Sequence, residues 1–237
     1  MKRKINFGAI VIYYMIAIAC RYLTNKTEIL NGIDNPYVRS ILTGVGPAIG
    51  AAVVFLVFKI KPVLSIRGNY KNILLPIILY WLLPVVLISS VMYFTNGTVP
   101  YLAVFSVLIY GLLEEIGWRS FLYQELKAIK PLYNILLVAL LWFLWHLNFD
   151  FTLSQLFFFS ILILGSWGIG KVADTTGSPL AVSAFHSLNN FFPSITGKSG
   201  LLLGTLLAVW VISLIFRLRM IARESRSSEK PDLVNFG

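Results

Sequence analysis

The sequence predicts an all-α protein, a polytopic membrane helix bundle with about eight transmembrane helices. The first observation is composition: the 237 residues are 57% hydrophobic and only 13% charged, unlike a soluble globular protein. The second is the length of the apolar segments, because a hydrocarbon core about 30 Å thick needs roughly 20 apolar residues per helical span. Strands of a membrane barrel would instead show short segments of alternating hydrophobicity.

Eight apolar windows of suitable length follow one another along the chain. They cover residues 5–23, 40–58, 73–94, 100–126, 131–148, 151–170, 178–195 and 200–216. The connections are short and no internal repeat is visible, so residues 1–216 are predicted to form one transmembrane domain, followed by a basic cytoplasmic tail at 217–237. Pro47, Pro76 and Pro84 fall inside windows and are expected to kink the helices.

The distribution of charge predicts the orientation of these helices. The formal net charge is +10, and fifteen of the 20 Lys and Arg residues fall in the segments on the N-terminal side of the membrane. The positive-inside rule therefore predicts that both termini are cytoplasmic, and the compact loops favour a bacterial cytoplasmic membrane. Such sorting indicates contact with anionic lipid headgroups and no nucleic-acid partner. The single cysteine, Cys20, excludes an internal disulfide and a cysteine-rich metal site.

Five ionisable residues lie inside the apolar windows: Glu114, Glu115, Arg119, His146 and His186. A charge at the bilayer centre costs roughly 2.5 to 3.5 kcal/mol, so such groups need partners or a water-filled pocket. At a rise of about 1.5 Å per residue, Glu114, His146 and His186 are expected roughly 18, 23 and 12 Å from the cytoplasmic ends of their helices. Three distant segments therefore bring an acid and two imidazoles to comparable depths.

A spacing of four residues places several polar pairs on shared helix faces. These pairs are Glu115 with Arg119, Trp142 with His146, and His186 with Asn190. An ion pair between Glu115 and Arg119 would reduce the cost of burying both charges and leave Glu114 without a cation on its own helix. Glu114 is therefore the expected general base. The alternatives are a purely structural ion pair and interhelical hydrogen bonds that serve packing alone.

These residue types suit the hydrolysis of an amide. His146 would hold a water beside Glu114, and His186 and Asn190 would donate hydrogen bonds to a developing oxyanion. No cofactor is required by this arrangement, but Glu114, His146 and His186 could also bind a divalent metal such as Zn²⁺. The helical His-Glu-x-x-His pattern of zinc peptidases is absent from the sequence, and metal dependence stays open.

Three motifs give the chain a resemblance to the CPBP family of CAAX proteases and bacteriocin-processing enzymes, also called the Abi group of intramembrane proteases. Glu114 to Arg119 fits the family's E-E-x-x-x-R, Trp142 to His146 approximates its F-x-x-x-H, and His186 to Asn190 fits its H-x-x-x-N/D. The resemblance covers roughly residues 100–195. Trp142 stands where the family has phenylalanine, and we expect this change to alter packing beside His146 more than the chemistry.

The resemblance implies an intramembrane endopeptidase with its catalytic cavity inside the bundle. It implies Glu114 as the base, His146 as the group that orients water, His186 and Asn190 as oxyanion donors, and support from Glu115 and Arg119. The implied substrate is a membrane-associated peptide or protein, such as a prenylated CAAX protein or a leader peptide. The alternatives are a non-proteolytic scaffold, immunity or regulatory protein with the same fold and, third, a transporter with a proton relay.

Overall fold

The computed structural model describes residues 4–150 and 152–191, together with the positions Ala208 and Ile212. Every regular element within these residues is helical. The α-helices are α1 (Phe7–Lys26), α2 (Pro36–Thr43), α3 (Val45–Val57), α4 (Tyr70–Ile77), α5 (Leu83–Asn96), α6 (Tyr101–Gly117), α7 (Tyr123–Glu125), α8 (Pro131–Trp145), α9 (Leu153–Thr176) and α10 (Pro179–Asn190). Two π-helical turns, Ile78–Leu82 and Trp118–Leu122, connect α4 to α5 and α6 to α7, and a 3-10 turn, Leu126–Ala128, follows α7.

The predicted class, a polytopic helical bundle, is confirmed. Four helical segments in the described part of the chain are long and apolar enough to cross a membrane: Phe7–Lys26, Asn72–Asn96, Tyr101–Ala128 and Leu153–Thr176. The bent pair α2 and α3 would make a fifth span. The eighth predicted window, 200–216, lies outside the described residues except at two positions, and the predicted tail at 217–237 lies outside them entirely.

Two helices near the site are shorter than their windows. Helix α8 has 15 residues and ends at Trp145, and α10 has 12 residues, which correspond to about 22 and 18 Å. The end of α8 has a local cause, because Leu147 has a positive φ of 54° and a right-handed helix cannot continue through that conformation. His146 therefore caps α8 and does not lie within a longer helix as the window suggested.

The prolines interrupt the helices where the sequence places them. Pro76 lies in α4, immediately before the π-helical turn, and Pro84 lies in the first turn of α5 just after it. A proline has no N–H and its ring crowds the preceding turn, so a locally widened turn relieves the conflict. The axes of α2 and α3 differ by 43° at a break that precedes Pro47. All three predicted kinks thus coincide with helix irregularities.

Helix α6 packs against α2, α3 and α10. Its contact with α3 depends on Gly117, where an added Cβ would lie 2.4 Å from the Cβ of Pro47 and 2.6 Å from its carbonyl oxygen. The two backbones can approach this closely because glycine has no side chain. Large aromatic rings then fill the core after α6, where Trp118, Trp145 and Tyr13 are completely buried.

Hydrogen bonds between segment ends define two ends of the bundle. At one end, the Asn6 amide donates to Glu125 Oε1 at 2.8 Å, and the Asn69 amide donates to the carbonyl of Thr176 at 2.6 Å. We call this end the basic face, because the loops that form it and the end of α9 carry Lys59, Lys61, Arg67, Lys127, Lys130 and Lys171. At the other end, the far face, Arg21 Nη1 near the end of α1 donates to the Thr43 carbonyl at 3.0 Å.

Candidate active site

Helix α6 carries two adjacent buried carboxylates near the middle of its span. Glu114 is 1% exposed and Glu115 is fully buried. At about 1.5 Å per residue, Glu114 lies roughly 20 Å from the start of α6. Neighbouring residues on a helix differ by about 100° in direction, so the two carboxylates meet different helices. Glu115 contacts α10 and Glu114 contacts α8.

One oxygen of Glu115 accepts hydrogen bonds from two groups. Arg119 Nη1 donates to Oε1 at 3.1 Å, which is the predicted ion pair within one helix. His186 Nδ1 of α10 donates to the same oxygen at 2.5 Å. Because a carboxylate only accepts, Nδ1 is the nitrogen that carries the proton in this bond. Arg119 is fully buried and approaches Ser166 Oγ of α9 at 3.5 Å.

Glu114 accepts a hydrogen bond from Trp142, a residue that was expected to alter packing more than the chemistry. Trp142 Nε1 donates to Glu114 Oε2 at 2.8 Å. Phenylalanine at the same position has no donor and could not make this bond, so the tryptophan adds a polar contact to its packing role. The Trp142 ring also lies 4.5 Å from the Arg119 guanidinium carbon, within the range of a cation–π interaction. Trp142 therefore touches both the Glu114 carboxylate and the Arg119 guanidinium.

His146 lies beside this network at the end of α8. Its Nδ1 is 2.8 Å from the carbonyl oxygen of Trp142, and since a carbonyl only accepts, Nδ1 is the donor. Nε2 is then the nitrogen that can accept a hydrogen bond from water in the neutral ring. His146 interacts electrostatically with Glu114 and His186, and Phe158 packs edge-on against its ring at 4.9 Å.

His186 and Asn190 lie one turn apart on α10. The ring of His186 packs 5.2 Å from that of Trp142. Asn190 is partly buried, and its Nδ2 has no hydrogen-bond partner among the described residues. A buried amide donor without a partner is costly, and a ligand or substrate oxygen could satisfy it.

A cavity of about 420 Å³ lies against Asn190, on the side of the far face. Its lining includes Arg21, Asn25, Ser40, Tyr110 and Asn190. Tyr110 precedes Glu114 by one helical turn and interacts with both Glu114 and Arg21. The volume lies within the usual range for small-molecule and peptide side-chain pockets, about 300 to 1,000 Å³. The cavity therefore reaches from the far face to the residue next to the Glu114 carboxylate.

The predicted metal ligands do not form a metal site in this arrangement. Within residues 4–150 and 152–191, no group of three or more His, Cys, Asp or Glu side chains is placed to hold a metal ion. His186 Nδ1 is held by Glu115, and His146 Nδ1 is held by a carbonyl. Metal-bound histidines usually make such a bond through their second ring nitrogen, and both contacts leave Nε2 available. A metal held by Glu114, His146 and His186 therefore stays a prediction, and no chemical step is assigned to one.

The structure joins most, but not all, of the residues singled out in the sequence. Glu114, Glu115, Arg119, Trp142 and His186 form one connected network. His146 lies at its edge through the Trp142 carbonyl, and Asn190 lies on the cavity wall.

The sequence interpretation missed three neighbours of the network: Tyr110, Arg21 and Ser166. The four-residue spacing to Glu114 could have identified Tyr110. No local signal marked Ser166.

Residues 96–192 match the family described as type II CAAX prenyl endopeptidase Rce1-like. This range contains every predicted site residue from Glu114 to Asn190 and agrees with the resemblance found in the three motifs. No curated protein matches the chain. The family and the apolar helices support an integral membrane protein that acts as an intramembrane protease of the CAAX type.

Proposed function

Because residues 96–192 match the Rce1-like CAAX endopeptidases, we propose that this chain hydrolyses a peptide bond within the membrane with Glu114 as its general base. The observation that carries the proposal is a buried carboxylate, 1% exposed, that accepts a hydrogen bond from Trp142 and interacts with Tyr110, a residue of the cavity wall. A carboxylate in such a place can take a proton from a bound water, and the proton does not escape to bulk solvent.

In the proposed reaction Glu114 removes a proton from a water held by His146 Nε2. The hydroxide oxygen forms a bond to the scissile carbonyl carbon, and the carbonyl oxygen becomes an oxyanion. Glu114 then returns the proton to the amide nitrogen as the carbon–nitrogen bond breaks, so the products are an acid and an amine. Two features support these roles: Nδ1 of His146 is occupied by a carbonyl, and Glu114 lies within electrostatic range of the ring.

The oxyanion donors in this proposal are Asn190 Nδ2–H and, with the ring doubly protonated, His186 Nε2–H. Glu115 holds His186 through Nδ1, and the Asn190 amide has a free donor among the described residues. Donors fixed in a water-poor site stabilise developing charge strongly, because they need no reorganisation when the charge appears. Glu115 and Arg119 act in support by holding His186 and Trp142 in place.

The proposed substrate is a membrane-associated peptide or protein, lipid-modified or simply hydrophobic. The described surface favours the bilayer as the second partner, since large apolar side chains such as Phe7, Leu56 and Phe94 are at least 70% exposed. We propose that the protein lies in a bacterial cytoplasmic membrane with both termini in the cytoplasm. The high positive charge then serves orientation and lipid contact and not nucleic-acid binding.

Replacing Glu114 by Gln tests the proposed base directly. We expect Glu114→Gln to fold and to lose turnover of a hydrophobic peptide by about 10²- to 10⁴-fold, because the amide cannot accept the proton of the water. The measurement is hydrolysis by purified protein in nanodiscs, with Glu28→Gln, an exposed loop residue, as the matched control. Equal turnover by wild type and Glu114→Gln would reject Glu114 as base.

A scaffold or immunity protein is the second candidate, and the near-complete burial of Glu114 and Glu115 favours it, because such networks can also serve structure alone. In that case Glu114→Gln would leave a cellular phenotype intact while a fold-disrupting variant abolished it. A phenotype lost in Glu114→Gln with normal protein level would favour the protease.

Chelation tests the metal question. We expect a strong chelator to leave peptide hydrolysis within about twofold of the untreated rate, because no group of three or more His, Cys, Asp or Glu side chains among the described residues is placed to hold a metal ion. Elemental content of the purified protein provides the second measurement. Stoichiometric zinc together with loss of activity on chelation and recovery on zinc addition would contradict the glutamate-only reaction.

A further inference from the structure

A separate cavity of about 220 Å³ lies at the basic face and is lined by none of the site residues described above. Its walls come from α7, from the first turn of α8 and from the second half of α9, and they include Tyr123, Asn134 and Lys171. The Tyr123 ring lies against Gly170 of α9, where an added Cβ would be 3.1 Å from two ring atoms. Asn134 Nδ2 donates to the Tyr123 carbonyl at 3.0 Å. Contacts among α7, α8 and α9 therefore hold the walls in place.

This cavity carries a net positive charge. Its lining holds two lysines, Lys127 and Lys171, and one acid, Asp174. Both oxygens of Asp174 are already engaged, Oδ1 by Lys127 Nζ at 2.6 Å and Oδ2 by the Tyr123 hydroxyl at 2.9 Å. An ammonium has three protons, so Lys127 keeps donors for a second acceptor, and Lys171 forms no ion pair within the described residues. The cavity therefore favours an anion.

The start of α8 adds to the preference for an anion. Helix α8 begins at Pro131 on the cavity wall, and no side-chain hydrogen bond caps it. The N–H groups that follow Pro131 have no intrahelical acceptor, and the helix dipole makes this end positive. The wall also holds an unsatisfied acceptor, because Asn134 is 2% exposed and its Oδ1 has no hydrogen-bond partner among the described residues. A ligand that carries both an oxyanion and a hydroxyl would match these groups.

An exposed apolar stripe on α9 leads into the cavity. Phe157, Ile161 and Leu164 are exposed, and their spacing of four and three residues places them on one face of the helix. Trp167 and Lys171 continue the same spacing at the cavity. From Phe157 to Trp167 the helix rises about 15 Å, half the thickness of a hydrocarbon core of about 30 Å. A tryptophan between an apolar stripe and a lysine is typical of the boundary between acyl chains and headgroups.

We propose that this cavity binds the headgroup of an anionic phospholipid, with an acyl chain along the apolar stripe of α9. The phosphate lies between Lys127, Lys171 and the start of α8, and a headgroup hydroxyl donates to Asn134 Oδ1. Phosphatidylglycerol has this chemistry, and basic pockets between membrane helices bind acidic headgroups. A soluble phosphate ester offers the same polar groups but leaves the stripe uncovered. The site does not depend on the hydrolysis proposed above, because none of its residues takes part in that reaction.

Lipid binding to the purified full chain tests the site. Native mass spectrometry compares phosphatidylglycerol with phosphatidylcholine of the same acyl chains, for wild type, Lys171→Gln and Lys61→Gln. We expect wild type to prefer phosphatidylglycerol by about fivefold or more, and Lys171→Gln to lose about fivefold in affinity for it, because one lysine contact is removed. Lys61 is an exposed lysine of the basic face outside the cavity, so Lys61→Gln should change the affinity by less than about twofold. Equal binding of the two lipids, or an equal loss in Lys61→Gln, would overturn the proposal.

Two further ligands test the source of the phosphate and the contact with Asn134. We expect the soluble headgroup glycerophosphoglycerol, at about 1 mM, to leave the bound lipid in place, because it lacks the acyl chain that covers the stripe. Displacement of the lipid by this compound would show a site for a free phosphate ester and overturn the lipid. Phosphatidylmethanol has the same charge and no free hydroxyl, so we expect it to bind several-fold more weakly than phosphatidylglycerol. Equal binding of these two lipids would overturn the contact with Asn134 Oδ1.

Discussion

At the scale of single residues, the Glu115 carboxylate organises the charges of the site. One oxygen of this fully buried side chain binds Arg119 of its own helix and His186 of α10. A buried charge is tolerated when it is paired and hydrogen-bonded, and the pairing also fixes the orientation of both partners.

The Glu115→Gln variant is expected to lose stability. Removing one partner of a buried pair leaves an uncompensated Arg119 and should cost roughly 3 to 5 kcal/mol. Unfolding of the purified protein in detergent, followed by denaturant or heat, is the measurement. Lys127→Gln is the matched control, because the Lys127–Asp174 pair is partly exposed and such a pair contributes about 0 to 1 kcal/mol. Equal losses in the two variants would show that burial of the Glu115 pair has no special effect.

The Trp142→Phe variant restores the residue type that is usual in the resembling family. It removes the hydrogen bond from Nε1 to Glu114, and a bond to a charged acceptor is worth roughly 1.5 to 3 kcal/mol. We expect kcat for peptide hydrolysis to fall about 10- to 100-fold with a smaller change in KM.

Trp118→Phe is the matched control for that measurement, since the indole N–H of this buried tryptophan has no partner among the described residues. A fall in kcat that is as large in Trp118→Phe would mean that ring volume, and not the hydrogen bond, is responsible.

At the scale of elements, the contact between α3 and α6 depends on one missing side chain. The Cβ of an alanine at position 117 would lie 2.4 Å from Pro47 Cβ, a distance that forces the helices apart. Pro47 stands just after the bend that joins α2 to α3, so it has little freedom to move. Close approach of these two helices therefore fixes where Glu114 and Glu115 sit relative to the rest of the bundle.

Gly117→Ala is expected to destabilise the bundle by about 1 to 3 kcal/mol through overpacking. The thermal midpoint of the purified protein measures the effect, and peptide hydrolysis should fall in parallel as the site residues shift. Gly32→Ala serves as the control, because no atom lies within 4 Å of its added Cβ. A Gly117→Ala protein as stable as Gly32→Ala would show that α3 can move away without cost.

Element boundaries were predicted less well than element type. Apolar windows reveal that a segment is helical and buried in lipid, but they carry no information on where the backbone turns. The window 131–148 therefore ran past Trp145, where the positive φ of Leu147 ends α8. That error placed His146 inside a helix, whereas its cap position directs Nδ1 back to the Trp142 carbonyl.

At the scale of the whole molecule, the helical bundle and the grouping of most polar residues could be predicted, because unpaired polar and charged groups cost free energy in lipid. Groups such as Glu114, Glu115 and Arg119 are expensive in hydrocarbon and must find partners, so their presence in apolar windows already indicates a shared site. The partners themselves follow from tertiary packing. The bond from Trp142 to Glu114 joins residues 28 positions apart, and neither spacing nor composition specifies it.

The π-helical turn Trp118–Leu122 divides the fourth predicted span into two segments whose side chains face different directions. A π-helical turn contains one more residue than an α-helical turn, and each residue of an α-helix corresponds to about 100° of rotation about the axis. The side chains after the widened turn consequently face a different direction around the helix axis from the one that a continuous α-helix would give them relative to Glu114 and Glu115. Helix α6 can therefore direct its carboxylates at α8 and α10. The segment after the turn packs independently at the basic face, where Tyr123 donates a hydrogen bond to Asp174 at 2.9 Å.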